Sequence, residues 1–358
     1  MKGFRVQRHG GPEALDWGEW PDPVPGPGEV RIRVRACALN HLDLWLRNGV
    51  PGHRFPLPLV PGAEVAGDVE SVGPGVVDLA PGEPCVVAPG VACGVCARCT
   101  AGADHLCPHY GLLGEHRDGG YAELLVVPRR NILALPRGLS YVEAAAVPLV
   151  FLTAWHMLAA RAELAPHEDV LLHAAGSGVT SAGIQIARLL GARRIVVTAG
   201  SDEKLAQARA LGATHGVNYR TGDLVRGVRE ATSGEGVDVV FDHLGGAVLE
   251  QSLRLLKKGG RAVLCGATDG GEAKVNLRAF FFKSLSLLGS TMGSLGELTA
   301  LLPYFERGLL RPVVHRSFPL AEAAVAQELL ARRGAFGKLV LTIGTGARDV
   351  PRPREEHG

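Results

Sequence analysis

The sequence lacks the features of a membrane or secreted protein. It has no apolar run of about 18 residues, the length that a membrane-spanning helix requires. Its first residues, MKGFRVQRHGG, lack the apolar stretch of a secretory signal. We therefore expect a cytoplasmic protein. In that reducing compartment the seven cysteines are better suited to metal binding than to a disulfide framework.

A strong excess of one charge is also absent. The chain has 38 basic and 36 acidic residues and a net charge of +2, without the basic cluster that nucleic-acid binding requires. Apolar residues make up 46% and charged residues 21%, a balance typical of a globular protein. We expect a small-molecule substrate, and neither nucleic acid nor membrane as a partner.

The pattern of the chain predicts two domains of different architecture. Its 358 residues exceed the size at which one hydrophobic core stops growing. In GEVRIRVRAC, Val30, Ile32 and Val34 alternate with arginines, as in a strand with one buried face. Further short strands predict a largely antiparallel β unit. From about Tyr141, short apolar runs alternate with helical segments, which predicts a doubly wound parallel sheet and an α/β fold class.

A glycine-containing turn predicts a dinucleotide site in the α/β part. The stretch AAGSGVTSAG follows the first strand there and contains Gly176, Gly178 and Gly183. Such glycines let backbone N–H groups approach a pyrophosphate at the start of a helix. The spacing departs from GxGxxG because Ser181 stands at the third glycine position. A tight turn without a ligand therefore remains an alternative.

The end of the second strand in this part favours NADPH over NADH. NAD sites usually carry an acidic residue there to hold the ribose 2′-hydroxyl. Here the strand ends in Thr-Ala-Gly200-Ser201, and the acids that follow suit the first turn of the next helix. Gly200 and Ser201 leave room for a 2′-phosphate, which Lys204 could neutralise. The alternative for Lys204 is a solvated helix residue.

Four cysteines at chelating spacing predict a structural zinc site. The segment CGVCARCTAGADHLC contains Cys93, Cys96, Cys99 and Cys107. Four thiolates satisfy a tetrahedral zinc ion completely and leave no position for water or substrate. The alternatives are an iron–sulfur cluster or free thiols.

These residues resemble the medium-chain dehydrogenase/reductase superfamily, which includes zinc alcohol dehydrogenases and quinone reductases. The resemblance rests on the cysteine spacing, the segment VPGAEVAGDVESVGPGV and the AAGSG turn, and it extends from GGPEALDWGEW to FGKLVL. It implies a GroES-like catalytic domain at residues 1–150 and 292–358, with a zinc lobe at about 90–110. It also implies a Rossmann dinucleotide-binding domain at 151–291, with the active site in the cleft between the two domains.

The resemblance breaks at the catalytic zinc of the zinc-dependent members. Their first ligand, a cysteine, falls on Asn40, and the histidine of their GHE motif falls on Ala63. The third ligand should lie near AVPLVFLTAW, which offers no cysteine, histidine or aspartate. The hydroxyl residue that relays the alcohol's proton falls on Leu42. Four departures together argue against a catalytic metal at this position.

An improvised metal site of Cys37, His41 and Glu64 is the remaining alternative there. Cys37 and His41 flank a predicted strand end and helix start, where side chains at this spacing need not converge. Catalytic zinc normally requires three protein ligands in a fixed geometry. We therefore favour the interpretation of Cys37 as a small buried apolar residue.

Without catalytic zinc, the pattern ALNHLDLWLRNG, FLTAW and NYR is similar to the quinone oxidoreductase and enoyl-reductase branch. Much of that branch lacks the cysteine lobe that this chain retains. The resemblance predicts an NADPH-dependent oxidoreductase that transfers hydride to a quinone, an enone or an enoyl thioester. In these acceptors the charge falls on a delocalised oxygen that hydrogen-bond donors can stabilise. The alternatives are a zinc-dependent alcohol or aldehyde dehydrogenase with an altered metal site, and a non-enzymatic NADPH-binding protein.

The resemblance also implies roles for individual residues. Asn40 would orient the substrate carbonyl, and Thr153 would hold the cofactor carboxamide. His41 would lie near the cofactor phosphates or help to supply the proton. Asp43 would orient its neighbours, with a helix cap as the alternative. The predicted cofactor-binding residues are Thr153, Gly176, Ser177, Gly178, Val179, Thr180, Ser201, Lys204, Tyr219, Gly266, Ala267, Thr291 and Lys338.

The stretch KSLSLLGST, Lys283 to Thr291, predicts an edge strand of the nucleotide-binding domain. An edge strand presents unpaired backbone groups that can pair with another chain. Since the superfamily often dimerises at this strand, we expect a homodimer or a homotetramer.

Overall fold

The structure is a computed structural model that describes residues 1–344. The described chain forms two compact units. Unit 1 comprises Met1–Leu149 and the segment from Ser294 onward, and unit 2 comprises Val150–Gly293. The last residues of the predicted domain range 292–358 lie outside the described part. The GroES-like and Rossmann-type architecture expected from the sequence is confirmed.

The strands fall into two large sheets and two small ones. They are β1 (Lys2–Val6), β2 (Leu15–Glu19), β3 (Glu29–Ala38), β4 (Glu64–Val72), β5 (Pro84–Val87), β6 (Gly90–Val91), β7 (Gly111–Leu112), β8 (Leu124–Pro128), β9 (Ile132–Ala134), β10 (Asp169–Leu172), β11 (Arg194–Ala199), β12 (His215–Asn218), β13 (Val237–Asp242), β14 (Leu256–Leu264), β15 (Ser286–Gly289), β16 (Val314–Pro319) and β17 (Lys338–Thr342).

The helices are short or of medium length. They are α1 (His41–Asn48), α2 (Ala97–Thr100), α3 (Tyr141–Ala145), α4 (Val150–Trp155), α5 (Gly178–Leu189), α6 (Asp202–Leu211), α7 (Leu224–Ala231), α8 (Gly246–Leu255), α9 (Leu277–Phe282), α10 (Leu295–Glu306) and α11 (Ala323–Ala331). A π-helical segment, His156–Arg161, continues α4. Among residues 1–344, no helix has the length and apolar character needed to cross a bilayer.

Unit 1 is built around the ten-residue strand β3, which pairs antiparallel with β4, β8 and β17. The seven-stranded sheet has the order β16-β17-β3-β4-β5-β9, with β8 also on β3. The predicted alternation is present, since Val30, Ile32 and Val34 are buried. On the opposite face, Arg31 and Arg35 form ion pairs with acidic residues of β4, each at 2.6 Å. The sheet carries β3, β4 and β17 side by side, and these strands supply part of the site described below.

Unit 2 contains a parallel six-stranded sheet in the order β12-β11-β10-β13-β14-β15. Its central strand β10 is fully buried, as the near-continuous apolar sequence of an inner parallel strand requires. The strand order reverses at β10, because β11 and β12 lie on one side and β13 to β15 on the other. In such sheets, ligands bind beyond the carboxyl ends of the strands at this reversal.

The predicted edge strand is confirmed, since β15 occupies one end of this sheet. Its Leu287 is 41% exposed. The preceding helix α9 exposes Leu277, Phe281 and Phe282 still more. Unit 2 therefore presents an apolar surface beside an unpaired strand edge.

Candidate functional site

The turn between β10 and α5 holds five of the predicted cofactor-binding residues. Ser177 is the N-cap of α5, and its hydroxyl oxygen accepts a hydrogen bond of 3.1 Å from the Thr180 N–H. The Thr180 hydroxyl donates to the His173 carbonyl at 2.6 Å. Side chains therefore fix the turn at the positive end of a twelve-residue helix, where a phosphate can bind.

Gly183 explains how this turn works without the usual GxGxxG spacing. A Cβ atom at Gly183 would lie 2.8 Å from the Leu172 side chain on β10. The third glycine of the fingerprint serves close packing between helix and strand. Here Gly183 provides that contact two positions further along the helix.

Other strands of the sheet bring further predicted residues to the same edge. Because all six strands are parallel, their carboxyl ends lie on one side of the sheet. The predicted residues that follow these ends are Ser201 after β11, Tyr219 after β12, Gly266 and Ala267 after β14, and Thr291 after β15. Lys338 is the exception, because it begins β17 in unit 1.

Two cations lie beyond the ends of β11 and β12, namely Lys204 in α6 and Arg220 directly after Tyr219. A Cβ atom at Gly200 would lie 2.9 Å from the Tyr219 hydroxyl and 3.1 Å from Nε of Arg220, so both side chains approach the backbone closely here. Burial and the nearby charge of Arg220 lower the pKa of Lys204. Asp202 accepts a hydrogen bond from the Asn218 amide at 2.9 Å. Two cations facing each other favour a bound phosphate over a ribose hydroxyl.

Arg220 was not among the predicted cofactor-binding residues. It directly follows Tyr219, which was predicted. An arginine directly after a strand that borders the predicted 2′-phosphate position is a signal that could have identified it.

Two residues after the apolar part of β13 were also missed. His243 lies next to the glycine turn, with Nε2 at 3.2 Å from both the Ser177 and Thr180 hydroxyls. Asp242 accepts hydrogen bonds from two following N–H groups through one oxygen. Within residues 1–344, its other oxygen is buried without a hydrogen-bond partner, and burial raises its pKa. Both positions lie at the reversal of strand order.

Thr153 is buried in α4 of unit 2. Its hydroxyl group donates to the Met292 sulfur at 3.6 Å. Met292 directly follows Thr291, another predicted cofactor-binding residue. The structure thus places these two residues in one neighbourhood, and their contact with a nicotinamide stays a prediction.

The four cysteines of the predicted zinc lobe converge. The sulfur–sulfur distances are 3.6 Å for Cys93–Cys107 and Cys96–Cys99, 3.8 Å for Cys96–Cys107 and 3.9 Å for Cys93–Cys99. A tetrahedral zinc ion with Zn–S bonds of about 2.3 Å requires sulfur separations of about 3.8 Å. Backbone N–H groups of Cys93, Gly94 and His109 donate to these sulfurs at 3.3–3.4 Å. The geometry therefore fits a closed four-thiolate metal site.

A buried ion pair lies beside Asn40, the residue that the resemblance places at the first zinc ligand of the zinc-dependent members. The Lys338 ammonium donates to Glu64 at 2.6 Å, to the Asn40 side-chain oxygen at 2.7 Å and to the Leu39 carbonyl at 2.5 Å. Asn40 in turn donates through Nδ2 to Glu64 at 3.1 Å. The second Glu64 oxygen accepts the Leu149 N–H at 2.7 Å. We call Lys338, Glu64 and Asn40 the lysine cluster.

The lysine cluster engages two residues that were predicted to contact the cofactor or the substrate. Lys338 uses all three of its N–H donors within unit 1, although the sequence assigned it to the cofactor. Asn40 engages both its amide oxygen and its amide nitrogen with protein groups, although it was expected to face the substrate. Its second Nδ2 contact, to the Ala38 carbonyl, is long at 3.4 Å and is the weakest of the set.

The improvised metal site finds no support in the geometry. Among the described residues, no group of three convergent metal-ligating side chains contains Cys37, His41 or Glu64. Cys37 is fully buried, as predicted, and burial raises the pKa of its thiol well above the usual value.

Asp43 holds the start of α1 against two other segments. Its carboxylate accepts the N–H groups of Asn40 at 2.8 Å and Gly62 at 3.2 Å, and the Tyr121 hydroxyl at 3.1 Å. With Asn40 it forms a capping box. Burial raises the pKa of Asp43 to about 6. Asp43 is therefore a helix cap that also positions Asn40, which combines both sequence alternatives.

His41 begins α1 beside the lysine cluster. Burial, followed by the charges of Arg333 and Lys338, lowers the pKa of His41 to about 4. The imidazole is therefore neutral near pH 7. A nearby phosphate would oppose this shift, because an anion favours the protonated form.

Comparison with known proteins bears on the family of the chain. The family profile described as the alcohol dehydrogenase GroES-like domain matches residues 26–137, and the zinc-binding dehydrogenase profile matches residues 178–307. A 2-haloacrylate reductase from Burkholderia sp is 32% identical, over 94% of this chain and 97% of that protein. A quinone oxidoreductase from Pseudomonas aeruginosa is 33% identical, over 95% of this chain and 99% of that protein.

Two further relatives bear on the cofactor and on the length of the proteins that this chain resembles. A crystal structure of an NAD-dependent alcohol dehydrogenase is 48% identical, with a TM-score of 0.92, and the match covers 96% of this chain and 100% of that one. A polyketide synthase protein, NorB from Streptomyces orinoci, is 39% identical over 328 residues, or 88% of this chain. The matched part spans only 13% of the synthase.

The lysine cluster predicts a coupled effect of mutations on stability. Lys338→Met and Glu64→Gln should each lower the free energy of unfolding by about 3–5 kcal/mol, because each leaves a buried charge without its partner. The double variant should lose less than the sum of the two. Denaturant unfolding measures all three, and Arg226→Gln, in an exposed pair, is the control that should change little. If the loss of unfolding free energy in the double variant equalled the sum of the two single losses, the ion pair between Lys338 and Glu64 would be contradicted.

Proposed function

The chain belongs to the medium-chain dehydrogenase/reductase superfamily, and from that premise we propose that it is an NADPH-dependent reductase of conjugated double bonds or quinones. The observation that carries the proposal is the lysine cluster. Because the resemblance puts Asn40 at the first zinc ligand of the zinc-dependent members, we propose that Lys338, Glu64 and Asn40 occupy the region of their catalytic metal. The names of the 2-haloacrylate reductase and quinone oxidoreductase relatives support the same class of substrate.

Conjugated acceptors match the chemistry that this region can supply. Reduction of a simple aldehyde produces a localised alkoxide, which a metal ion usually stabilises. Reduction at the β-carbon of an enone, or of a quinone, places the charge on a delocalised oxygen that hydrogen-bond donors can stabilise. NADPH supplies the hydride when it is bound.

Asn40 is the donor that we propose for this oxygen. The Lys338 ammonium binds the amide oxygen of Asn40 and polarises the amide, which makes its N–H groups stronger donors. The long contact of Nδ2 with the Ala38 carbonyl can be exchanged for the substrate oxygen, while the contact with Glu64 is kept. Asp43 holds the Asn40 backbone in place. We propose that His41 lies near the cofactor phosphates, where its imidazole would regain a proton.

The edge of the sheet in unit 2 would bind NADPH. We propose that Ser201, Lys204, Tyr219 and Arg220 hold the 2′-phosphate and that the turn from Gly176 to Thr180, including Val179, holds the pyrophosphate. Thr153, Gly266, Ala267 and Thr291 would lie along the nicotinamide half.

We also propose one structural zinc ion per subunit at Cys93, Cys96, Cys99 and Cys107. The sulfur separations support this assignment, and a closed site of four thiolates can only stabilise the lobe. The reduced cysteines that zinc requires suit the cytoplasmic location that we propose. Metal analysis of the purified chain tests the assignment.

An alcohol dehydrogenase that uses NAD is the second candidate. The crystal structure at 48% identity is that of an NAD-dependent alcohol dehydrogenase, and its identity to this chain exceeds the 32% and 33% of the two reductases. This function would require an alcohol oxidation that proceeds beside the lysine cluster, or a metal at an altered site. Assays with different hydride acceptors, described next, distinguish the two candidate functions.

We expect NADPH oxidation with a quinone, an enone or a short enoyl-CoA, and little with a simple aldehyde. Turnover should be unchanged when a chelator removes accessible metal during the assay, because the lysine cluster carries the charge. Spectrophotometric NADPH consumption with each acceptor, with and without chelator, measures this. Activity with the aldehyde alone that the chelator abolishes would refute the proposed function.

The 2′-phosphate assignment predicts a change in cofactor preference. Lys204→Gln and Arg220→Gln should each raise the KM for NADPH about tenfold or more, because each removes one charged contact worth roughly 1.4 kcal/mol. The KM for NADH should change little. Steady-state kinetics with both cofactors, beside the exposed control Arg226→Gln, tests this. An equal rise in the KM for NADH would show that the two residues do not recognise the 2′-phosphate.

The exposed β15 edge supports the expected homodimer or homotetramer. We propose that β15 pairs with its counterpart in a second copy. Leu287→Lys should then shift the wild-type oligomer toward monomer in sedimentation velocity, while Val325→Lys, an exposed valine of unit 1, should not. A monomeric wild-type chain would contradict the proposal.

A further inference from the structure

Two histidines and a glutamate converge in unit 1, outside the residues discussed above. His53 lies in the segment between α1 and β4, and Glu115 and His116 lie in the turn after β7. His53 Nε2 is 3.4 Å from one Glu115 oxygen, and His116 Nδ1 is 3.7 Å from the other. The ligand atoms of the three residues all lie within 4.8 Å of one another.

The arrangement is held in place by its surroundings. The His53 ring packs against Phe55 with ring centroids 4.4 Å apart. The N–H groups of Glu115 and His116 both donate to the Leu112 carbonyl, which fixes the turn. The two imidazole rings are perpendicular and their centroids are 6.1 Å apart, so they do not stack on each other. The Glu115 side chain is 16% exposed and the imidazoles about 40%, which leaves the group accessible to an ion from solvent.

Short hydrogen bonds do not tie the two imidazoles to the carboxylate. Contacts of 3.4 and 3.7 Å between imidazole nitrogen and carboxylate oxygen are long for hydrogen bonds. Each imidazole faces a different oxygen of the same carboxylate, so a cation between them can reach all three side chains with small movements. The Leu112 N–H also points at His116 Nδ1, at a long 3.3 Å, and a metal bond through Nδ1 would replace that contact.

We propose that His53, Glu115 and His116 bind one divalent transition-metal ion, with Zn²⁺ as the best match. Imidazole ligands favour zinc and its neighbours, whereas Ca²⁺ and Mg²⁺ prefer oxygen ligands. Three protein ligands leave one coordination position for water or for an oxygen of a small molecule. The site would therefore differ from the closed cysteine site, which has no open position.

The site lies on a segment that contacts the region of the lysine cluster. A Cβ atom at Gly114 would lie 2.6 Å from the Gly62 nitrogen, and the Gly62 N–H donates to Asp43. A metal ion would thus tie the segment that carries His53 to the turn that packs on Gly62. The inference does not rest on the proposed function, since none of the three ligands belongs to the lysine cluster or the cofactor site.

Zinc titration of the purified full chain tests the proposal. Protein already loaded with one equivalent of zinc should bind one further equivalent, measured by calorimetry and by elemental analysis. His53→Ala and Glu115→Gln should weaken this second binding at least about tenfold, since even outer-shell changes at metal sites cost about 10–100-fold. His215→Ala, a histidine of unit 2 outside the group, should retain it.

The proposal is overturned if wild type binds no second ion, or if His53→Ala and Glu115→Gln bind it as wild type does. NADPH oxidation by the same proteins, measured without added zinc, is the separate readout. Loss of metal binding with unchanged reductase activity would support the site, and failure of the reductase assay would leave the titration result unaffected.

Discussion

The ion pair between Lys338 and Glu64 is the constraint on which the candidate active region depends. It joins the starts of β17 and β4 to the residue that caps α1, and the contact between Lys338 and Asn40 spans 298 positions of the chain. Because all three side chains are buried, each charge or dipole needs its partner inside the protein. Removal of one of these side chains would therefore leave the others buried without a partner. The Lys338 ammonium, paired with Glu64, is thereby held against the amide oxygen of Asn40.

The cofactor site depends on a different constraint, the reversal of strand order at β10. That reversal places the carboxyl ends of five further parallel strands around the Ser177 turn, and it explains why residues scattered from 176 to 291 lie at one edge. The departure from GxGxxG does not disturb this arrangement, because Gly183 supplies the close contact with β10. In the proposed function, Lys204 and Arg220 would distinguish the 2′-phosphate of NADPH from the 2′-hydroxyl of NADH.

Local sequence patterns were sufficient to predict those features that depend on residues close together in the chain. The alternation in β3, the glycine turn after β10, the convergence of the four cysteines and the edge position of β15 were all predicted. The lysine cluster was not, because periodicity carries no information on which distant side chains meet. Asn40 was identified by its resemblance to a ligand position, but its engagement with Lys338 depends on the register of β17 against β3. Arg220 and the group around Glu115 likewise depend on loops from separate parts of the chain.

The central claim is that charge in the lysine cluster supports hydride addition to a conjugated system. The most direct measurement is the fate of the label when NADPH deuterated at the transferred C4 position reduces an enone. NMR of the product should show deuterium at the β-carbon of a saturated ketone. Deuterium on the carbonyl carbon of an allylic alcohol would mean that the enzyme reduces the carbonyl group itself, and would contradict the account.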